Sequence, residues 1–258
     1  MRAVIDRVKS WVRPFGLELV SREGFERLSN AEFDLKLVRT LPHEHAAQLL
    51  NHLDRSKSQR RQDLFVLSEL NFKRNGFFVE FGAADGVYLS NTHMLEKEFG
   101  WTGILAEPAN VYHSALSKNR TAHVTYDCVW KETGATLKFK EPGLAHLSTI
   151  QAYSGADHHK KLRRHRKTYD VGTISLLDLL KRYDAPAQID YLSIDTEGSE
   201  FDILSSFDFD AYSFRVITCE HNHTPMRDKI FALLSGHGYR RKYENLSGFD
   251  GWYVKPHR

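Results

Sequence analysis

Much of what this 258-residue chain could be is removed by what it lacks. No apolar run approaches the roughly twenty residues a membrane span needs. Arg2, Asp6, Arg7 and Lys9 interrupt any signal-peptide core. The chain therefore reads as soluble and cytoplasmic, without a transmembrane segment. Cysteine is almost absent: Cys128 and Cys219 each stand beside an acidic residue in a strand-like run. They read as small buried side chains in a reducing compartment, and no Cys/His cluster has zinc spacing. Lys+Arg 36 against Asp+Glu 33 leaves a formal net charge of +3, too slight to imply a nucleic-acid partner. There is no internal repeat and no low-complexity tract.

What is present centres on Phe77-Phe78-Val79-Glu80-Phe81-Gly82-Ala83-Ala84-Asp85-Gly86. An apolar run of strand length meets an acidic residue and breaks into a turn with two glycines. After Val87 to Ser90, Asn91-Thr92 opens an amphipathic helix from Met94-Leu95 to Phe99. A strand, a glycine loop and a helix N-terminus together place backbone N–H groups beside a bound ligand.

Before this stretch, residues 1–75 carry helical signals and read as an N-terminal extension. Val4, Ile5, Val8, Trp11 and Val12 recur at helix spacing until Pro14 and Gly16. Further helices are expected over Glu44–Leu53 and Gln62–Leu70. Such basic amphipathic helices pack on their own domain or on a second subunit, so a homo-oligomer formed through them is one expectation. Asn75-Gly76 marks the boundary, and 76–258 reads as the main domain. There strands at 77–81, 103–106, 123–126, 189–194 and 215–219 alternate with helices, which argues for a parallel sheet covered on both faces. Tyr239–Tyr243 and Gly251–Val254 read as a closing antiparallel pair. An insertion at about 134–170 contains an alternating strand, Thr136–Lys140. It also contains His158–Lys167, ten positions of which only Leu162 is apolar. That run reads as a solvated loop or as a lid over an anionic acceptor.

Ligands of open α/β sheets bind outside the carboxyl ends of the strands. Those ends carry Glu80/Asp85, Glu107, Asp127, Asp195/Glu197 and Glu220/His221, more acid than stability requires. Glu107 stands 21 residues after Gly86, near the spacing at which an acidic residue meets a ribose diol. Asp195, Glu197, Glu220 and His221 are the candidates for proton transfer. His221 comes first, because only imidazole ordinarily titrates near neutrality. Asp195, Glu220 and His221 could also hold a divalent cation such as Mg2+ through hard oxygen ligands and one imidazole.

Glu80 to Gly86, Ser90-Asn91-Thr92, Leu95-Glu96-Lys97, Gly100-Trp101-Thr102-Gly103, Glu107-Pro108 and Asp195-Thr196-Glu197-Gly198-Ser199-Glu200, in that order, resemble the FkbM family of S-adenosylmethionine-dependent methyltransferases. The likeness runs from about Phe77 to Val254. It implies a Rossmann-like class I methyltransferase fold, a seven-stranded mostly parallel sheet with helices on both faces. It implies that Glu80, Gly82, Asp85 and Gly86 cradle the methionine end of S-adenosylmethionine, with Ala83, Asn91 and Thr92 also in the cofactor site. Glu107 would take the ribose hydroxyls, Asp127 with Cys128 would border the adenine, and Pro108 and Asp195 would also belong to the cofactor site. Catalysis would then fall to His221, Asp195 and Glu197.

Three rivals are weighed against this. A nicotinamide dehydrogenase would carry three glycines, and Asp85 stands where its pyrophosphate would lie. A nucleic-acid methyltransferase would show Asp/Asn-Pro-Pro-aromatic after the fourth strand, where this chain has Asp195-Thr196-Glu197-Gly198. A non-catalytic scaffold module would bind cofactor without turnover. The favoured expectation is O-methylation of a sugar, glycan or related metabolite, with no nucleic-acid partner. Trp252, Tyr243 and Tyr153 are candidates to stack on a sugar ring.

Overall fold

A computed structural model describes residues 10–11, 13–16, 21–142, 149–150 and 166–256. Most of the expected first helix, Tyr153 and positions 158–165 of the basic run lie outside the described residues. The chain divides into two compact units, Met1–Ala46 and Ala47–Arg258.

The first unit holds a short turn at Arg13–Phe15 and one long helix, α1 (Arg22–Thr40). Ser21 caps α1 by accepting the Gly24 N–H at 3.0 Å. Its apolar residues do not keep one continuous stripe, so periodicity does not announce it.

In the second unit, α2 (Ala46–His52, which starts on the unit boundary) and α3 (Gln62–Glu69) precede the sheet. The sheet elements are β1 (Phe77–Phe81), β2 (Thr102–Ala106), β3 (His123–Thr125), β8 (Gln188–Ile194), β9 (Ser213–Glu220), β10 (Arg240–Lys242) and β11 (Asp250–Val254). They pair in the order β10-β11-β9-β8-β1-β2-β3. All neighbours are parallel except β11, which runs antiparallel to both β9 and β10. This is the expected seven-stranded, mostly parallel sheet with its closing antiparallel pair. The connecting helices are α4 (His93–Phe99), α5 (His113–Asn119), α6 (Leu176–Arg182), α7 (Glu200–Ser205), α8 (Met226–Gly236) and α9 (Glu244–Ser247).

Strand register sorts side chains between the two faces. Val79, Leu192, Ile217 and Tyr253 stand in one row and join Leu179, Leu180, Ile203, Leu204, Ile230 and Leu234 from α6, α7 and α8 in the main apolar core. One residue earlier or later, side chains turn to the other face. There Trp252 stacks on Phe65 of α3 at 4.5 Å, and the Arg120 guanidinium lies 5.4 Å from the Phe78 ring centre. Trp252 is fully buried and Tyr243, half-buried, meets Phe65 edge-on, so neither of these two of the three expected sugar platforms lines the cavity at the strand ends.

The insertion folds as a second sheet of β4 (Cys128–Trp130), β7 (Arg166–Ser175), β5 (Thr136–Pro142) and β6 (Thr149–Ile150), paired in that order. Among the described residues, no helix is long and apolar enough to cross a membrane.

Candidate functional site

The parallel strands β1, β2, β8 and β9 end at one edge of the sheet. The loops leaving them enclose a cavity of about 430 Å³. Central strand β1 separates its two halves: Glu107 follows β2 on one side, while Asp195 follows β8 and Glu220 ends β9 on the other.

The loop after β1 is fastened by Glu80, whose buried carboxylate accepts the Asn91 N–H at 2.7 Å, the Ser90 hydroxyl at 3.0 Å and the Thr92 hydroxyl. Arg120, its side chain fully enclosed, completes this knot. It donates to Glu96 at 2.8 Å, to Thr92 Oγ1 at 2.8 Å, and to Ser90 Oγ and the Gly86 carbonyl at 3.1 Å each. Gly86 is needed for that approach, since a Cβ there would lie 2.6 Å from Arg120 Cγ. Arg120→Met would leave Glu80 buried without its cation and Glu96 with only the half-exposed Lys97 at 3.1 Å. We expect it to cost about 3–5 kcal/mol of stability, read as a lowered urea midpoint. A cost below about 1 kcal/mol would show that the knot does not organise the loop.

Glu107 is buried and lines the cavity. Its Oε2 accepts the Ala84 N–H and its Oε1 the Ala109 N–H, both at 2.8 Å. Burial pushes its carboxyl up to about 7, with Glu141 adding to the rise and the two N–H groups opposing it. Pro108, Cys128, Val129 and Phe139 form an apolar wall at this end. Burial holds the Cys128 thiol up at about 12, so it is an inert wall rather than a nucleophile.

On the other side, Asp195, Glu197 and Glu220 each offer an oxygen within 4.8 Å of the others. Burial, followed by the charges of Asp250 and Glu200, raises Asp195 to about 7, and a hydrogen bond with Glu220 draws it back. Burial and the Asp195 charge hold Glu220 well above the usual carboxylate range. Glu200 supports this loop from below, taking the Thr196 and Gly198 N–H groups at 3.0 Å each.

Several expected site residues do not meet the cavity. His221 lies one residue beyond Glu220 and turns to the opposite face, the face of Arg241 and Tyr253. Its Nδ1 takes the His223 N–H at 3.2 Å and its Nε2 lies 3.3 Å from Arg241 Nη2. Burial, then Arg241 and His223, lower it to about 4. This corrects the expectation of His221 as base or metal ligand, because it does not line the cavity and its ring nitrogens face the His223 N–H and the Arg241 guanidinium. Asp85 accepts the Val87 and Tyr88 N–H groups at 2.9 and 2.8 Å, shaping its own turn. Asp127 is paired with Arg182 at 2.6 Å. Ala83, Gly86 and Thr92 do not line the cavity, whereas Glu80, Gly82, Asn91, Glu107, Pro108, Cys128, Asp195 and Glu197 do. Gln59, Tyr88, Phe139, Asn222 and Phe249 also line it without having been expected. Of these only Phe139 leaves a trace in the sequence, as one beat of the alternating run 136–140.

An open sheet with one reversed strand, a glycine loop after β1, and an acidic residue after β2 facing an apolar slot define the class I methyltransferase architecture. The sequence pattern of the Methyltransferase FkbM domain matches residues 80–241, and the chain belongs to that family. No curated protein matches the chain. Among solved structures it is similar to a TehB-like S-adenosylmethionine-dependent methyltransferase from Corynebacterium glutamicum, at 9% identity over 83% of this chain and 97% of that one, with a TM-score of 0.41. It is also similar to a precorrin-6y C5,15-methyltransferase from Geobacter metallireducens, at 12% identity over 74% and 85%, TM-score 0.37. A putative RNA methyltransferase from Pyrococcus horikoshii matches at 11% identity over 75% and 81%, TM-score 0.39.

The residues present fit S-adenosylmethionine. Among the described residues no Lys or Arg lines the cavity, and its carboxylates suit a sulfonium cation. Glu107 has lone pairs left for ribose hydroxyls, and the Pro108–Cys128–Phe139 wall suits a base ring.

Proposed function

We propose that this protein methylates a hydroxyl of a sugar, glycan or related metabolite, acting in the cytoplasm. The single observation that carries this reading is the Asp195–Glu197–Glu220 group across β1 from Glu107. S-adenosylmethionine, when bound, supplies a methyl group already activated for displacement. The chain must then place an acceptor oxygen in line and take its proton. Carboxylates raised toward neutrality are better bases than ordinary ones, and a hydroxyl acceptor needs one. Gln59 and Asn222 add side-chain amides to the same cavity, while the Thr196 hydroxyl donates to Glu200 and the Ser199 hydroxyl to Thr196. The absence of a cationic side chain from the described lining favours a neutral ring at the point of attack.

The test is methyl transfer from labelled S-adenosylmethionine to a panel of neutral and acidic carbohydrates, with the product's linkage read by NMR. Glu220→Gln should keep S-adenosylhomocysteine affinity within about threefold while turnover falls about 10²- to 10⁴-fold. Label found on nitrogen or on RNA would overturn the acceptor class. Cofactor binding without turnover on any acceptor would leave the scaffold reading in its place.

A second reading has support in the same three oxygens. Asp195, Glu197 and Glu220, rather than the expected set with His221, could hold Mg2+ beside the acceptor. Saturable Mn2+ binding that Glu220→Gln removes, together with activity lost in EDTA, would favour a metal-assisted step over a simple base.

A further inference from the structure

The insertion brings three side chains to the Glu107 end of the cavity. Phe139 of β5 is 4% exposed and lines the apolar wall with Pro108, Cys128 and Val129. It pairs in register with Tyr169 of β7, and the two ring centres lie 5.8 Å apart. The Tyr169 hydroxyl donates to Glu141 Oε2 at 2.7 Å and accepts the Asn110 N–H at 3.0 Å. Asn110 closes the segment Glu107-Pro108-Ala109-Asn110, whose Ala109 N–H is already held by Glu107 at 2.8 Å. One hydroxyl thus ties the inserted sheet to the segment that presents Glu107, and an aromatic ring from the same sheet faces the cavity beside it.

We infer that the inserted sheet is part of the cofactor site: Phe139 contacts the adenine, and Tyr169 with Glu141 positions the Glu107–Asn110 segment for the ribose. This rests on assigning the Glu107 end to the nucleoside of S-adenosylmethionine. The apolar wall contains one aromatic ring among the described residues, and ring-on-base contact is the interaction a nucleobase gains most from there. Tyr169 serves a donor and an acceptor at once, so removing its oxygen leaves the Asn110 N–H and the Glu141 carboxylate each without that partner. The segment then loses its outer anchor while Glu107 keeps its own two N–H bonds.

Calorimetric titration of the full chain with S-adenosylhomocysteine and with 5′-methylthioadenosine tests this. The second ligand keeps the nucleoside and lacks the amino acid. Phe139→Leu should weaken both by about 10- to 100-fold and by the same factor, and Phe139→Tyr should restore binding. Tyr169→Phe should weaken both about three- to tenfold, with a melting midpoint lowered by no more than about 4 °C. Wild-type protein that binds neither ligand would overturn the cofactor assignment itself. Wild-type binding of both, with Phe139→Leu within twofold, would remove the adenine contact. The same result in Tyr169→Phe, a substitution that leaves packing intact, would remove the positioning role.

Discussion

Gly82→Ala is expected to eliminate measurable binding of S-adenosylhomocysteine, a loss of more than about 100-fold, while costing about 2–4 kcal/mol of stability. Gly82 has φ +73°, and a Cβ placed on it would lie 2.1 Å from the Asp195 carbonyl oxygen. Neither partner can yield cheaply. Phe81 and Ile194, the residues just before each, are paired strand neighbours in the centre of the sheet. The Gly82 N–H is itself bonded to the Ala106 carbonyl at 3.1 Å. If the loop lifts, it carries Ala84 off Glu107 and opens the nucleoside half. If the β8 end gives way, it moves Asp195 and the carboxylate half. Gly134→Ala is the control: φ is +84° there, but nothing lies within 4 Å of the added carbon. It should cost only the backbone strain of about 1–2 kcal/mol and leave binding unchanged. Equal effects of the two substitutions on binding would show that contact with Asp195 is not the cause.

The same close approach explains what could be read in the sequence and what could not. Period and punctuation reveal which segments are strands and where they stop, so the sheet from Phe77 onward and the carboxylates at its edge were legible. They do not reveal which way a side chain turns once the strand has ended. Glu220 and His221 are one position apart and land on opposite faces, and the residue with the more suggestive chemistry is the one excluded. Asp85 and Asp127 look like their neighbours in the sequence, yet one is consumed by the N–H groups of its own turn and the other by Arg182, 55 positions away. Arg120 gave no signal because its partners come from three separate segments, and the knot exists only when β1, the loop and α4 are assembled. Gln59 and Phe249 reach the cavity from the two ends of the domain, a juxtaposition that no local pattern encodes. Helix α1 escaped for the converse reason: it lacks the single apolar stripe by which periodicity finds a helix.

Glu107→Gln is the second large effect, and its signature is in the pH dependence. Both oxygens of Glu107 accept backbone N–H groups, so an amide in their place must turn its own NH₂ toward Ala84 or Ala109. Charge-assisted bonds to two ribose hydroxyls are lost with the carboxylate, at about 1.5–3 kcal/mol each. Together these predict S-adenosylhomocysteine affinity down by at least about 100-fold. In the cofactor-free protein the raised carboxyl, near 7, favours the protonated form. The stability it contributes is therefore present below the ordinary carboxylate range and is lost as pH rises through about 7. Ribose hydroxyls donate to the ionised form, so binding runs the other way. Affinity should fall about tenfold per pH unit below about 7 and level off above it, with up to one proton released on binding at about pH 6. Glu141, Cys128 and Tyr112 surround the group, and the first of these sets the midpoint higher than burial alone would. Calorimetry in two buffers of different ionisation enthalpy measures the proton directly. In Glu107→Gln the proton release and the slope should shrink to what Asp195, also raised to about 7 in this cavity, contributes. A wild-type affinity that stays flat between about pH 5.5 and 8.5 would overturn the combined assignment of a raised carboxyl and a ribose contact to Glu107.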